Sequence, residues 1–110
     1  MPGAFVRVHL RDKDAGRSIR LKPKEKLDVD LDENPTTGYS WQTVSIPSLL
    51  ELKDSDYVPD APQRCGSGGR KTFHFVVARP GSGTLRMEYR RPWEKEVEPA
   101  RVYEVSLESA

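Results

Sequence analysis

Leu27, Val29 and Leu31 alternate with Asp28, Asp30 and Asp32. Successive side chains of an extended chain point to opposite faces, so this stretch predicts a strand with one dry face and one wet face. Its acidic side is expected to be solvated. The same period of two recurs in Val6-Val8-Leu10, Ile19-Leu21, Tyr39-Trp41-Thr43, Phe73-Phe75-Val77, Leu85-Met87-Tyr89 and Tyr103-Val105-Leu107. Leu49 to Lys53 reads as a short strand or one helical turn after Pro47, and residues 54–69 read as a long loop. Helical periodicity is nearly absent, and turn residues separate the runs, as in Pro80-Gly81-Ser82-Gly83. About seven to eight short strands with this punctuation predict an all-β fold, an antiparallel β-sandwich. A chain of 110 residues without repeat or linker is read as one domain, 1–110, large enough to bury a core.

Charge and cysteine content narrow the function. With 18 basic and 17 acidic residues the net charge is +1, which argues against nucleic acid or an anionic membrane as partner. No apolar run approaches the roughly 18 residues of a spanning helix. The first residues show no basic segment leading into an apolar one, so no secretory signal is read there and cytoplasmic is the default compartment. Cys65 is the only cysteine, and the fold must stand without an intrachain disulfide.

Asn34-Pro35-Thr36-Thr37-Gly38-Tyr39 joins two of the strands. Pro35 restricts its own φ and pushes Asn34 towards extended backbone, and Gly38 permits a positive φ. Thr36 and Thr37 are stiff at χ1. A shaped loop presenting two hydroxyls is expected, with an ordinary strand connector as the alternative. If each connector reverses the chain, this loop, the 54–69 loop and the Arg91-Pro92-Trp93 loop all fall at one end. That inference requires the segment from Leu49 to be a strand.

The second loop carries Gly66-Ser67-Gly68-Gly69. It lacks the Gly-Lys-Ser/Thr and the helix of a Walker loop, and it does not open a helix as a dinucleotide fingerprint does. What remains is exposed backbone able to approach another protein, or simply a flexible tip. Trp93 follows a proline in a polar loop, where it is either an interface anchor or folded over the sandwich edge. Arg90 and Arg91 read as interface hot-spot residues or as a solvated pair. Cys65, His9 and His74 have no spacing that defines a nucleophile and base, nor a zinc motif. The acidic strand lacks the turn of a calcium loop.

The three loop sequences resemble those of chagasin-like inhibitors of papain-family cysteine peptidases. That family carries Asn-Pro-Thr-Thr-Gly-aromatic, Gly-x-Gly-Gly and Arg-Pro-Trp/Phe, which occur here in the same order as Asn34 to Tyr39, Gly66 to Gly69 and Arg91 to Trp93. The resemblance implies an immunoglobulin-like sandwich that inhibits reversibly and competitively, with no catalytic residue, metal or cofactor. Thr36 and Thr37 would then sit over the peptidase's catalytic cysteine and histidine, with Asn34 and Pro35 holding the loop's shape. Gly66, Ser67, Gly68 and Gly69 would flank one side of the cleft, and Arg91, Pro92 and Trp93 the other. The implied partners are cathepsin L-like or papain-like enzymes, met by a monomer. Cys65 before the glycine loop and a long Arg11 to Gly16 turn depart from the pattern. The competing classes are a carbohydrate-binding or adhesion module using Tyr39, Trp41 and Trp93, and a thiol enzyme using Cys65.

Overall fold

The computed structural model describes residues 7–59 and 68–110. Eight strands fill them: β1 (Arg7–Arg11), β2 (Ser18–Leu21), β3 (Lys26–Glu33), β4 (Ser40–Ser45), β5 (Leu50–Pro59), β6 (Gly69–Val77), β7 (Gly81–Arg90) and β8 (Arg101–Ser109). Single 3-10 turns at Asp12–Asp14 and Pro35–Thr37 are the only helical elements among the described residues. One sheet has the order β1-β3-β6-β5 and the other β2-β8-β7-β4.

The alternating apolar residues form the layer between the sheets. Leu27, Val29, Leu31, Phe73, Phe75 and Val77 face inward from the first sheet; Leu85, Met87, Tyr103, Val105, Leu107 and Trp41 meet them from the second. Burying each of these side chains is worth about 1.5–3 kcal/mol. The sandwich is antiparallel in four pairings, β3·β6, β5·β6, β4·β7 and β7·β8. The edge pairings β1·β3 and β2·β8 are parallel. Parallel neighbours need a crossover, and β1 reaches β3 by way of β2 in the opposite sheet.

Two expectations are corrected. The segment from Leu50 is a strand, and it runs to Pro59, through residues expected to be loop. β5 is an edge strand held by backbone pairing to β6, with most of its side chains exposed. Such a strand needs no apolar alternation, and charge protects its open edge. The remainder of the expected loop, 60–67, lies outside the described residues.

The acidic face of β3 is solvated only at Asp32. Asp28 and Asp30 are only 3% and 8% exposed, while Asp32 is exposed. Parallel β1 lays Arg7 and His9 over them, and β6 adds Thr72 and His74. Arg7 donates to Asp28 at 3.0 Å, Thr72 Oγ1 to Asp30 at 2.6 Å, and His9 lies 3.6 and 3.5 Å from Asp28 and Asp30. Burial opposes the Asp28 carboxylate, but hydrogen bonds from His74 and Arg7 hold its pKa below the usual range.

His74 sits between carboxylates on both sides. Its Nδ1 is 2.8 Å from Asp28 and its Nε2 2.9 Å from Asp56, with Asp54 at 3.8 Å. Ionised carboxylates only accept, so this geometry favours the imidazolium, in which both ring nitrogens donate. A β-bulge between Leu52 and Asp54 sets this up: without it, Lys53 rather than Asp54 would oppose His74. The hydrogen bond to Asp28 chiefly, against burial and with help from Asp56, raises the His74 pKa. A raised folded-state pKa gives stability that is complete below the unfolded value and lost as pH climbs through the folded one. Urea unfolding should therefore give its highest midpoint at or below about pH 6.5, the ordinary histidine value, and a falling midpoint above it. His74→Gln should flatten that decline; an unchanged profile would separate His74 from it.

Candidate functional site

The ends of five strands, β3, β4, β5, β6 and β7, define one tip. Glu33 and Pro59 both pair with Gly69 in the first sheet, and Ser40 pairs with Arg90 in the second. The roots of the three singled-out loops are therefore neighbours, as strand parity requires.

The first loop is built on Asn34. Its backbone N–H donates to the Tyr89 hydroxyl at 2.9 Å. Its side-chain Oδ1 accepts from Thr36 N at 3.2 Å and Thr36 Oγ1 at 2.5 Å. Its carbonyl accepts from Thr37 Oγ1 at 2.8 Å and Thr37 N at 3.3 Å. The loop thus closes as a single 3-10 turn at Pro35–Thr37. Both threonines are exposed, yet their hydroxyl protons are directed back into the loop rather than outward.

The third loop clamps the first. Arg91 Nε donates to the Thr37 carbonyl at 3.0 Å, and its guanidinium lies 4.6 Å from the centroid of Tyr39. Trp93 is 68% exposed, the most exposed large apolar side chain among the described residues, with its ring against Gly38. A Cβ on Gly38 would lie 2.7 Å from Trp93 Cη2, and Gly38 has φ +84°. Glycine is required there twice over.

Gly68 adjoins the other side of the first loop: a Cβ there would lie 3.3 Å from the Glu33 carbonyl oxygen and 3.9 Å from Asn34 Cβ. At Gly69 a Cβ would run into the Val58 carbonyl, so β5 and β6 can pair at this end only over a bare backbone. Gly66, Ser67 and Cys65 lie outside the described residues. The order across the tip is glycine segment, Asn34 turn, tryptophan loop.

Several residues that hold this arrangement carried no sequence signal. Tyr89 reads only as a core strand residue, yet it stacks on Tyr39 at 5.4 Å and packs on Trp41 at 5.0 Å. Glu33 accepts from Trp41 N and the Asp32 carbonyl from Trp41 Nε1, each at 2.8 Å. Arg101 covers Trp41 and Tyr89 at 5.3 and 5.9 Å. Arg90 is no solvated residue: its fork binds Glu88 at 2.7 and 3.1 Å. Hydrogen bonds from Arg90 and then Arg86 hold the Glu88 carboxyl below its usual range. The doublet Arg90-Arg91 beside the motif was the only available hint.

Each alternative reading loses part of its residue set, and Cys65 lies outside the described residues. Trp41 is 4% exposed and enclosed by Tyr89 and Tyr103, so it cannot serve as a carbohydrate platform. His9 and His74 belong to the outer polar face of the first sheet, engaged with Asp28, Asp30 and Asp56.

The β-sandwich thus brings the roots of the three motif-bearing loops to one end. Residues 20–107 match the model of the chagasin family peptidase inhibitor I42, and the chain belongs to that family. It is a peptidase inhibitor, not an enzyme. It is similar to Amoebiasin-1 of Entamoeba histolytica, 35% identical over 88 residues covering 78% of this chain and 84% of that protein. Its fold is similar to the crystal structure of the cysteine protease inhibitor EhICP2 from the same organism, with TM-score 0.85 and 22% identity over 97% of this chain and 98% of that one. It is also similar to PbICP-C, solved in complex with falcipain-2, with TM-score 0.66 and 18% identity over 94% and 99% of the two chains.

Gly38→Ala tests the loop contact. A side chain in the left-handed region costs about 1–2 kcal/mol, and the added methyl displaces the Trp93 ring. The expected result is a lowered urea midpoint together with altered Trp93 emission; wild-type values for both would sink the contact.

Proposed function

We propose that this protein inhibits papain-family cysteine peptidases, cathepsin L-like or papain-like, reversibly and competitively, by placing three loops in the active-site cleft. The supporting observation is the order across the tip: Gly68 beside Asn34, and Trp93 on Gly38. A single continuous surface can then meet both walls of a cleft and its floor. Thr36 and Thr37 lie over the catalytic cysteine and histidine in this reading. Gly66 to Gly69 borders one wall, and Arg91, Pro92 and Trp93 border the other. The inhibitor chemistry in the names of the similar proteins, and falcipain-2 as the partner of PbICP-C, agree with a cysteine peptidase as target.

The energetics suit a monomeric domain of this size. An ordinary interface buries about 800 Å² per partner. A first loop already closed on Asn34 and clamped by Arg91 leaves little ordering cost, the usual obstacle to affinities of about −12 kcal/mol, or nanomolar. An exposed indole with arginine beside it has the composition of an interface anchor.

Titration against papain and a cathepsin L-like peptidase tests the reading. KM should rise with inhibitor while the maximal rate stays constant; absence of inhibition, or a falling maximal rate, would overturn it. Trp93→Ala should weaken inhibition by about 2 kcal/mol or more, roughly 30-fold. An unchanged inhibition constant would remove Trp93 from the contact surface.

A further inference from the structure

Residues 91–100 join β7 to β8. Strand pairing ends at Arg90 with Ser40 and resumes at Tyr89 with Arg101. Hairpin loops usually span about 2–5 residues, and this connector is longer and has no strand or helix of its own. Its few internal backbone bonds are Glu94 N to Arg91 O at 3.0 Å and Val97 N to Glu94 O at 3.3 Å, and it returns through Ala100 N to Tyr89 O at 2.8 Å. Such a segment needs another source of order.

Arg90 supplies it. Leu85 and Met87 point into the core, so Arg86, Glu88 and Arg90 line the outer face of the same strand. There Arg90 Nη1 faces three carbonyl oxygens of the connector: Val97 at 2.9 Å, Glu94 at 3.1 Å and Lys95 at 3.5 Å. Its Nε and Nη2 grip Glu88 Oε1, which fixes the plane of the guanidinium. Glu88 is braced in turn by Arg86 at 3.0 and 3.1 Å, and Arg86 by Glu104 of β8 at 2.5 Å. The Arg90 side chain is only 18% exposed under the connector. A guanidinium directs several donors at fixed angles, which an ammonium cannot copy.

The consequence falls on Trp93. Arg91, two residues before it, is tied to Thr37 and Tyr39, and the Glu94 carbonyl just after it is tied to Arg90. The indole lies between two anchored residues of its loop, Arg91 and Glu94, and rests on Gly38. We propose that Arg90 is the positioning residue of the tryptophan loop: it holds Trp93 at the tip by binding the connector's carbonyls, without itself touching a peptidase. This rests on the inhibitory reading of the tip, and it assigns a role outside the three loop motifs.

Trp93 provides a readout independent of inhibition. The chain has two tryptophans, and Trp41 is buried, so collisional quenching by acrylamide reports mainly on Trp93. Arg90→Lys is the primary variant because it keeps a cation beside Glu88 and spares the fold; Arg90→Ala is the second. Both should change Trp93 quenching and weaken papain inhibition by at least about tenfold, with lysine failing to rescue. Their urea midpoints should remain near that of the wild type. In a Trp93→Ala background, Arg90→Lys should cost less than about threefold more, because coupled residues are not additive. Full additivity would mean that Arg90 acts on the peptidase directly and would overturn the proposal. So would unchanged quenching, or rescue by lysine. If the wild-type protein inhibits no papain-family enzyme, the inhibitory reading falls, and quenching still decides whether Arg90 positions Trp93.

Discussion

Two hydrogen bonds to Trp41 close the sandwich at its working end. Glu33 and Asp32 belong to one sheet and Trp41 to the other; the Glu33 carboxylate accepts the Trp41 backbone N–H, and the Asp32 carbonyl accepts the indole N–H. They fix the separation of the two feet of the Asn34 turn. The indole that makes one of them is also a core residue, so the loop is fastened to the best-packed part of the molecule. Tyr89 extends the connection, lying on Trp41 and accepting from Asn34 through its hydroxyl. Moving the turn would require moving the core.

Above that foundation the loops restrain one another. The Asn34 turn satisfies its own polar groups, leaving the Thr37 carbonyl for Arg91. Trp93 covers Gly38, at which the backbone of the first loop turns left-handed. Arg90 holds the far side of the same loop. Each contact is worth little alone, since exposed polar contacts contribute at most about 1 kcal/mol. Their effect lies in removing alternative conformations before a partner arrives.

Much of this was legible in the chain. Alternation in Leu27-Val29-Leu31, Phe73-Phe75-Val77 and Tyr103-Val105-Leu107 identified core strands, because a half-buried strand must put every second side chain inside. Gly38 was readable as a positive-φ position, and the three loop motifs marked the tip. The tail of β5 was hidden because an edge strand paired through its backbone has no burial pattern to display. Asp28 and Asp30 looked wet because the residues that cover them, Arg7 and His9, come from a strand far away in sequence. Arg90 was ambiguous for the same reason: a charge beside a loop is indistinguishable from a solvated one until the carbonyls facing it are known.

The parallel edge strand β1 has a further consequence for where the folding unit begins. The family model matches from residue 20, within β2. The structural unit reaches back to Arg7, because β1 is the roof over two buried carboxylates. A fragment cut to the recognisable segment would keep all three loops and lose that roof, leaving Asp28 without its guanidinium and Asp30 without its imidazole neighbour. The part of the chain that identifies the family is thus smaller than the part needed to hold it together.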